Sequence, residues 1–229
     1  VVCVLLVLGL VIGVVASLGR AGPSPTTTST RATTATLAPT TTSTPTTTTT
    51  DPGALPQTGA EPPSGDGALT ARLSPLFSAI GDDDLAQAQT VFFPETAYIS
   101  MKTGEIPDPS SDYQERLVAF LDLDLSAYNK ALGSRPASAA YLGVLGDPSL
   151  ATWIPPGTCE NAIGYWHLPN VRLVYRTDGE TDSFAVASLI SWRGVWYVVH
   201  LGPNPRPVNV GTVALPATGP GTPGPGGGC

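Results

Sequence analysis

The residue types here that suit chemistry are Cys159, Glu160, His167, His200 and one acid on an apolar helix face, Asp124. A cysteine nucleophile needs a base beside it and a third group to orient that base. Cys159-Glu160 with His167 downstream is compatible with a loop that brings them together, but the spacing does not require it. A zinc site needs three or four ligands at short, regular spacings. Two distant histidines and one usable cysteine do not make that pattern, so neither a metal nor another cofactor is expected.

Asp124 stands out by its placement. Leu117, Leu121, Leu125, Tyr128 and Leu132 share one face of a helix predicted over Asp112 to Leu132, and Glu115, Asp122, Ser126 and Asn129 share the other. Asp124 falls on the apolar face, one turn before Tyr128. A carboxylate there is costly unless paired or protonated. One reading gives it a hydrogen bond to Tyr128, a backbone amide or an arginine from the sheet. The other makes it a general base lining a pocket, with Tyr128 as donor.

Tyr165-Trp166-His167 lies between Gly164 and Pro169, so these aromatic groups are expected on a loop, as a binding lip or as a cap on the core. His200 follows the alternation of a final strand and reads as a structural histidine at a sheet edge. Asp82-Asp83-Asp84 does not alternate as calcium ligands do and reads as capping charge at a helix start.

The elements that must position these residues divide into helices first and strands after. Leu69, Leu73, Leu76, Phe77 and Ile80 recur at helical spacing, with Pro75 marking a kink or boundary and Gly81 a stop. A short helix follows from Leu85 towards Phe93. Val171–Tyr175, Ser183–Trp192 and Val195–Leu201 read as strands joined at Asp178-Gly179 and Arg193-Gly194, two hairpin turns. Ala139–Val144 and Ala151–Ile154 are weaker strand candidates. This order predicts an α+β domain with helices packed on one face of an antiparallel sheet.

Composition divides the chain further. Residues 1–19 form an apolar segment without charge up to Leu18, near the lower limit of about 17–25 residues for a membrane span. Residues 20–66 are a Thr/Pro-rich tract expected to be a disordered stalk, possible to O-glycosylate and too poor in apolar groups to fold. Residues 67–213 form the single domain, and 214–229 a flexible Pro/Gly tail. The segment 1–18 is expected to hold the chain at a membrane with the domain outside the cytoplasm; the alternative is secretion after signal cleavage. Arg20 and Arg31 alone would argue for the opposite orientation.

A net charge of −7 with eleven scattered basic residues argues against a nucleic-acid partner. An envelope protein, a wall polymer or a small ligand remains. Cys3 opens the apolar segment, leaving Cys159 and Cys229 either to pair in an oxidising compartment or to stay as thiols. Leu55–Gly59 and Leu215–Gly219 both match LPxTG, but neither is followed by the apolar run and basic tail of a wall-sorting signal.

The run Trp153-Ile-Pro-Pro-Gly-Thr-Cys159, then Gly164-Tyr-Trp-His167, then Ser188-Leu-Ile-Ser-Trp-Arg-Gly-Val-Trp-Tyr-Val-Val-His200-Leu-Gly, resembles an uncharacterised family of actinobacterial membrane-associated proteins. Phe92-Phe93-Pro94 and the Asp112 helix fall in the same likeness, which covers most of residues 70–203. It implies an envelope location and an intact domain, with no known activity. The element order is similar to the cone-shaped nuclear transport factor 2-like (cystatin-like) fold, in which a curved sheet wraps a long helix. That resemblance implies a pocket. The expected function is therefore a non-enzymatic binding or accessory domain; the alternative is a pocket enzyme that uses a buried carboxyl as general base.

Overall fold

The computed structural model describes residues 50–206 and 209–225. The apolar segment 1–18, the Thr/Pro tract up to residue 49, Cys3 and Cys229 lie outside the described residues.

Helix α1 (Asp66–Asp82) buries Leu69, Leu73, Leu76, Phe77 and Ile80, the face its periodicity predicts. Pro75 sits inside it without ending it, and the helix also runs past Gly81. Asp83 takes the left-handed conformation instead (φ 53°), which a short polar side chain tolerates better than most. Asp84 then caps α2 (Leu85–Gln89), its carboxylate accepting from the Gln87 amide at 3.1 Å. The acidic triplet thus closes one helix and opens the next.

Helix α3 (Glu95–Met101) follows, and then α4 (Pro109–Asp112), capped by Asp108, which accepts from the Ser111 amide at 3.0 Å. The predicted Asp112 helix is not uniform. Tyr113–Val118 form a π-helical turn before α5 (Ala119–Ala131) begins. Such turns are rare and often sit at functional positions.

The sheet is curved, antiparallel and six-stranded, with the helices packed against it, giving the expected α+β class. Its spine is one long hairpin, β3 (Tyr165–Thr177) against β4 (Glu180–Trp192). Asp178 and Gly179 both have positive φ at its turn, as do Arg193 and Gly194 at the next, the geometry a two-residue hairpin demands. β1 (Ala140–Leu145) and β2 (Thr152–Ile154) lie end to end along the outer edge of β3. β5 (Val195–His200) and β6 (Ala214–Thr218) lie end to end along that of β4. Bulges interrupt the β1–β3, β4–β5 and β4–β6 pairings, and each bends its strand locally.

Three boundaries differ from those read off the composition. The segment Tyr165 to Pro169 is not a loop but the start of β3, because its residues pair with β2 on one side and β4 on the other. Nor is the Pro/Gly tail loose from residue 214: Ala214–Thr218 is a strand, and Arg172, buried in β3, donates to the Leu215 carbonyl at 2.6 Å. Asn170 and Pro225 hold the stretch beyond it through a 3.0 Å hydrogen bond.

The third concerns the stalk. Residues 50–66, which composition places in the stalk, lie against the domain. The indole N–H of Trp192 donates to the Pro52 carbonyl (3.0 Å), that of Trp166 to Gly59 (3.1 Å) and that of Trp196 to Pro63 (3.2 Å). Gln57 donates to the Ser191 carbonyl and accepts from the Arg193 amide. Proline removes backbone donors but leaves the carbonyls. A Pro-rich strap has spare acceptors, and indoles, which only donate, match them. Both LPxTG matches therefore lie inside the folded part, one in this strap and one across β6 and its end.

Candidate functional site

The β2–β3–β4–β5 end of the sheet, the end of α3, the π-helical turn and residues after β5, among them Pro203 and Leu215, line a half-open cavity of about 860 Å³. Strand alternation decides which of the aromatic triplet reaches it. Tyr165 and His167 line the cavity, whereas Trp166 turns to the other face, stacking edge-on to Trp153 and holding the strap at Gly59. The triplet is thus split between two jobs: two members face the cavity, and the third fastens the N-terminal strap.

His167 Nε2 lies 2.9 Å from the Ser188 hydroxyl, and Asn161 contacts the Tyr165 hydroxyl at 3.4 Å. His200 also lines the cavity, next to Asn204 at 3.3 Å, so both histidines of the chain meet there. Burial pushes the His200 imidazole down to about 3, and the nearby cations Arg116, Arg206 and Lys102 push the same way. It is neutral at ordinary pH. Met101, Leu117, Ile154, Ile190 and Val199 supply much of the apolar wall.

The groups that sequence reasoning missed are Lys102 and Arg116. Lys102 follows the last turn of α3, its ammonium 4.8 Å from the centre of the Tyr98 ring. Burial, with Arg116 close by, lowers its pKa. Arg116 projects from the π-helical turn, with Nε and Nη2 clamped on Asp112 at 2.7 and 2.6 Å. That carboxylate raises the Arg116 pKa, and Arg116 Nη2 also donates to the Tyr98 hydroxyl at 2.9 Å. Neither cation carries a motif. The one available signal was the Asp112/Arg116 pair, at the i,i+4 spacing of a helical ion pair.

Asp124 and Tyr128, the candidate base and donor, lie outside the cavity lining. Asp124 is fully buried and accepts from Arg206, from the Gly202 amide (2.9 Å) and from the Thr212 amide (3.0 Å). Burial pushes its carboxyl up, and these three donors oppose that push. Tyr128 places its hydroxyl 2.7 and 2.8 Å from the Ala185 and Leu201 carbonyls and accepts from the Ala214 amide at 2.9 Å. Together they staple the segment after β5, and β6, to α5. That work is structural.

Cys159 lines the cavity and is disulfide-bonded, so it is not available as a thiolate nucleophile. Cys229, the partner considered from the sequence, lies outside the described residues. Among the described residues, no group of three His, Cys, Asp or Glu is placed to hold a metal ion. No helix among them is long and apolar enough to cross a membrane.

Fold and site together define an α+β domain with one large, mixed-polarity cavity at one end of its sheet. Compared with known proteins, the chain matches no family model, no curated protein and no solved structure.

Proposed function

We infer that this chain is a non-enzymatic binding protein whose domain, of the nuclear transport factor 2-like cone type, holds a small ligand. The cavity carries this reading. Its volume of about 860 Å³ falls within the roughly 300–1,000 Å³ typical of ligand sites, and its mostly apolar wall is punctuated by a few polar groups. The enzyme alternative has less support, because Asp124 and Tyr128 spend their polar atoms on backbone and Arg206.

A thermal-shift screen of the full chain against pooled small molecules tests the reading. A ligand at about 100 times its Kd should add about 2.7 kcal/mol to stability. Replacing Ile190 by Trp, which fills the cavity from β4, should abolish that shift. Hits that stabilise the Ile190→Trp variant equally would place binding elsewhere and sink the reading.

The apolar segment 1–18 and the Thr/Pro tract support a membrane-tethered placement outside the cytoplasm, facing an envelope protein, wall polymer or small ligand. Protease added to intact cells should then remove the domain. Full protection, with digestion only after lysis, would reverse the orientation.

A further inference from the structure

Building on the cavity reading above, we propose that the occupant is an amphiphilic anion, with a carboxylate or phosphate head at Lys102 and Arg116 and an apolar body along Met101, Leu117 and Ile190. Charge distribution is the first argument. The chain carries a net −7, yet its cavity gathers Lys102 and Arg116 against a single lining acid, Glu160. Asp112 already neutralises Arg116, which leaves half-buried Lys102 as the cation without an ion-pair partner among the described residues, and a charge partly out of water favours an anion beside it.

The second argument is which donors are left. Asp112 takes Nε and Nη2 of Arg116; Nη1 has no hydrogen bond among the described residues. The Lys102 ammonium sits over the Tyr98 ring and has no carboxylate within ion-pair distance among the described residues, Glu160 and Asp112 acting on it from farther away. Lys102 and Arg116 line the same cavity, and carboxylate and phosphate oxygens suit an ammonium and a guanidinium alike.

The third is the remainder of the wall. A bare inorganic anion would leave the apolar lining wet, and an uncharged hydrocarbon would leave Lys102 without an ion-pair partner. Only a ligand with both parts satisfies both.

Calorimetric titration of the full chain with four probes tests this: dodecanoate, dodecyl phosphate, dodecanol and inorganic phosphate, each below micelle formation. The Ile190→Trp variant serves as background for uptake elsewhere on the chain. Both anionic amphiphiles should bind at least about tenfold tighter than dodecanol, the scale of one charge-assisted contact. Lys102→Met should weaken both anions by about tenfold and leave dodecanol unchanged. Lys102→Gln, which keeps the side-chain length, should do the same and guards against misfolding of the first variant. Equal affinity for dodecanol and dodecanoate, or no change in either Lys102 variant, would overturn the anion inference while the cavity reading stands. Inorganic phosphate binding as tightly as dodecyl phosphate would make the occupant a free anion and overturn the amphiphile. If no probe exceeds the Ile190→Trp background, the amphiphile inference falls, and the pooled screen above decides the cavity reading separately.

Discussion

Replacing Asp124 by Ala should cost about 3–5 kcal/mol of folding stability, the usual penalty for breaking a buried ion pair from one side. Both side chains are almost completely excluded from solvent, Asp124 at 0% and Arg206 at 1% exposure. Removing the carboxylate leaves a buried guanidinium without its anion, and the amides of Gly202 and Thr212 without an acceptor. The site has no slack to adapt. A Cβ on Gly202 would come within 2.3 Å of the Thr212 carbonyl and 2.7 Å of the Asp124 oxygens, so backbone and carboxylate are already at contact. Asp124→Asn keeps one acceptor but no charge, and should fall between wild type and alanine. Denaturant unfolding measures both. A loss below about 1 kcal/mol for the alanine variant would mean that the pair is solvated and the stapling role is wrong. A stable variant that lost a chemical activity would restore the general-base reading.

A chain trimmed to residues 67–213, the domain that composition suggests, should show no cooperative thermal transition, whereas residues 50–229 should melt sharply. The cut removes the acceptors of three indole N–H groups, those of Trp166, Trp192 and Trp196. It also removes β6, and with it the Ala214 amide on Tyr128 and the Leu215 carbonyl on Arg172. Arg172 is 2% exposed, so its guanidinium would lose a partner where water has little access. Each neutral hydrogen bond is worth about 0.5–1.5 kcal/mol and each orphaned buried group costs more, against a total stability of about 5–15 kcal/mol. Scanning calorimetry of the two chains decides it. Equal melting temperatures would mean that the strap and β6 rest on the domain without supporting it.

What is encoded locally was legible. The face of α1 follows from leucines at helical spacing, and the two hairpins from Asp178-Gly179 and Arg193-Gly194, because neighbours along the chain set those geometries. The apolar position of Asp124 was legible too, together with its need for a partner. Which partner was not: Arg206 comes from far along the chain, and only packing brings it to α5.

The cavity lies at the other extreme. Its cations come from the end of α3 and a π-helical turn, and its histidines from β3 and β5. No motif links them, since their nearness is set by how the helices cross the sheet. The strap shows the same limit from the opposite direction. Thr and Pro supply too little burial to order a segment on its own, so composition reads it as stalk. Its order comes from indoles more than a hundred residues away. Residue pattern by itself determined α1, the start of α2, the long helix after Asp112, the two hairpins and the α+β class, because those depend on neighbours. Tertiary structure alone decided where the domain begins and ends and what its cavity presents, because those depend on donors and charges supplied from distant parts of the chain.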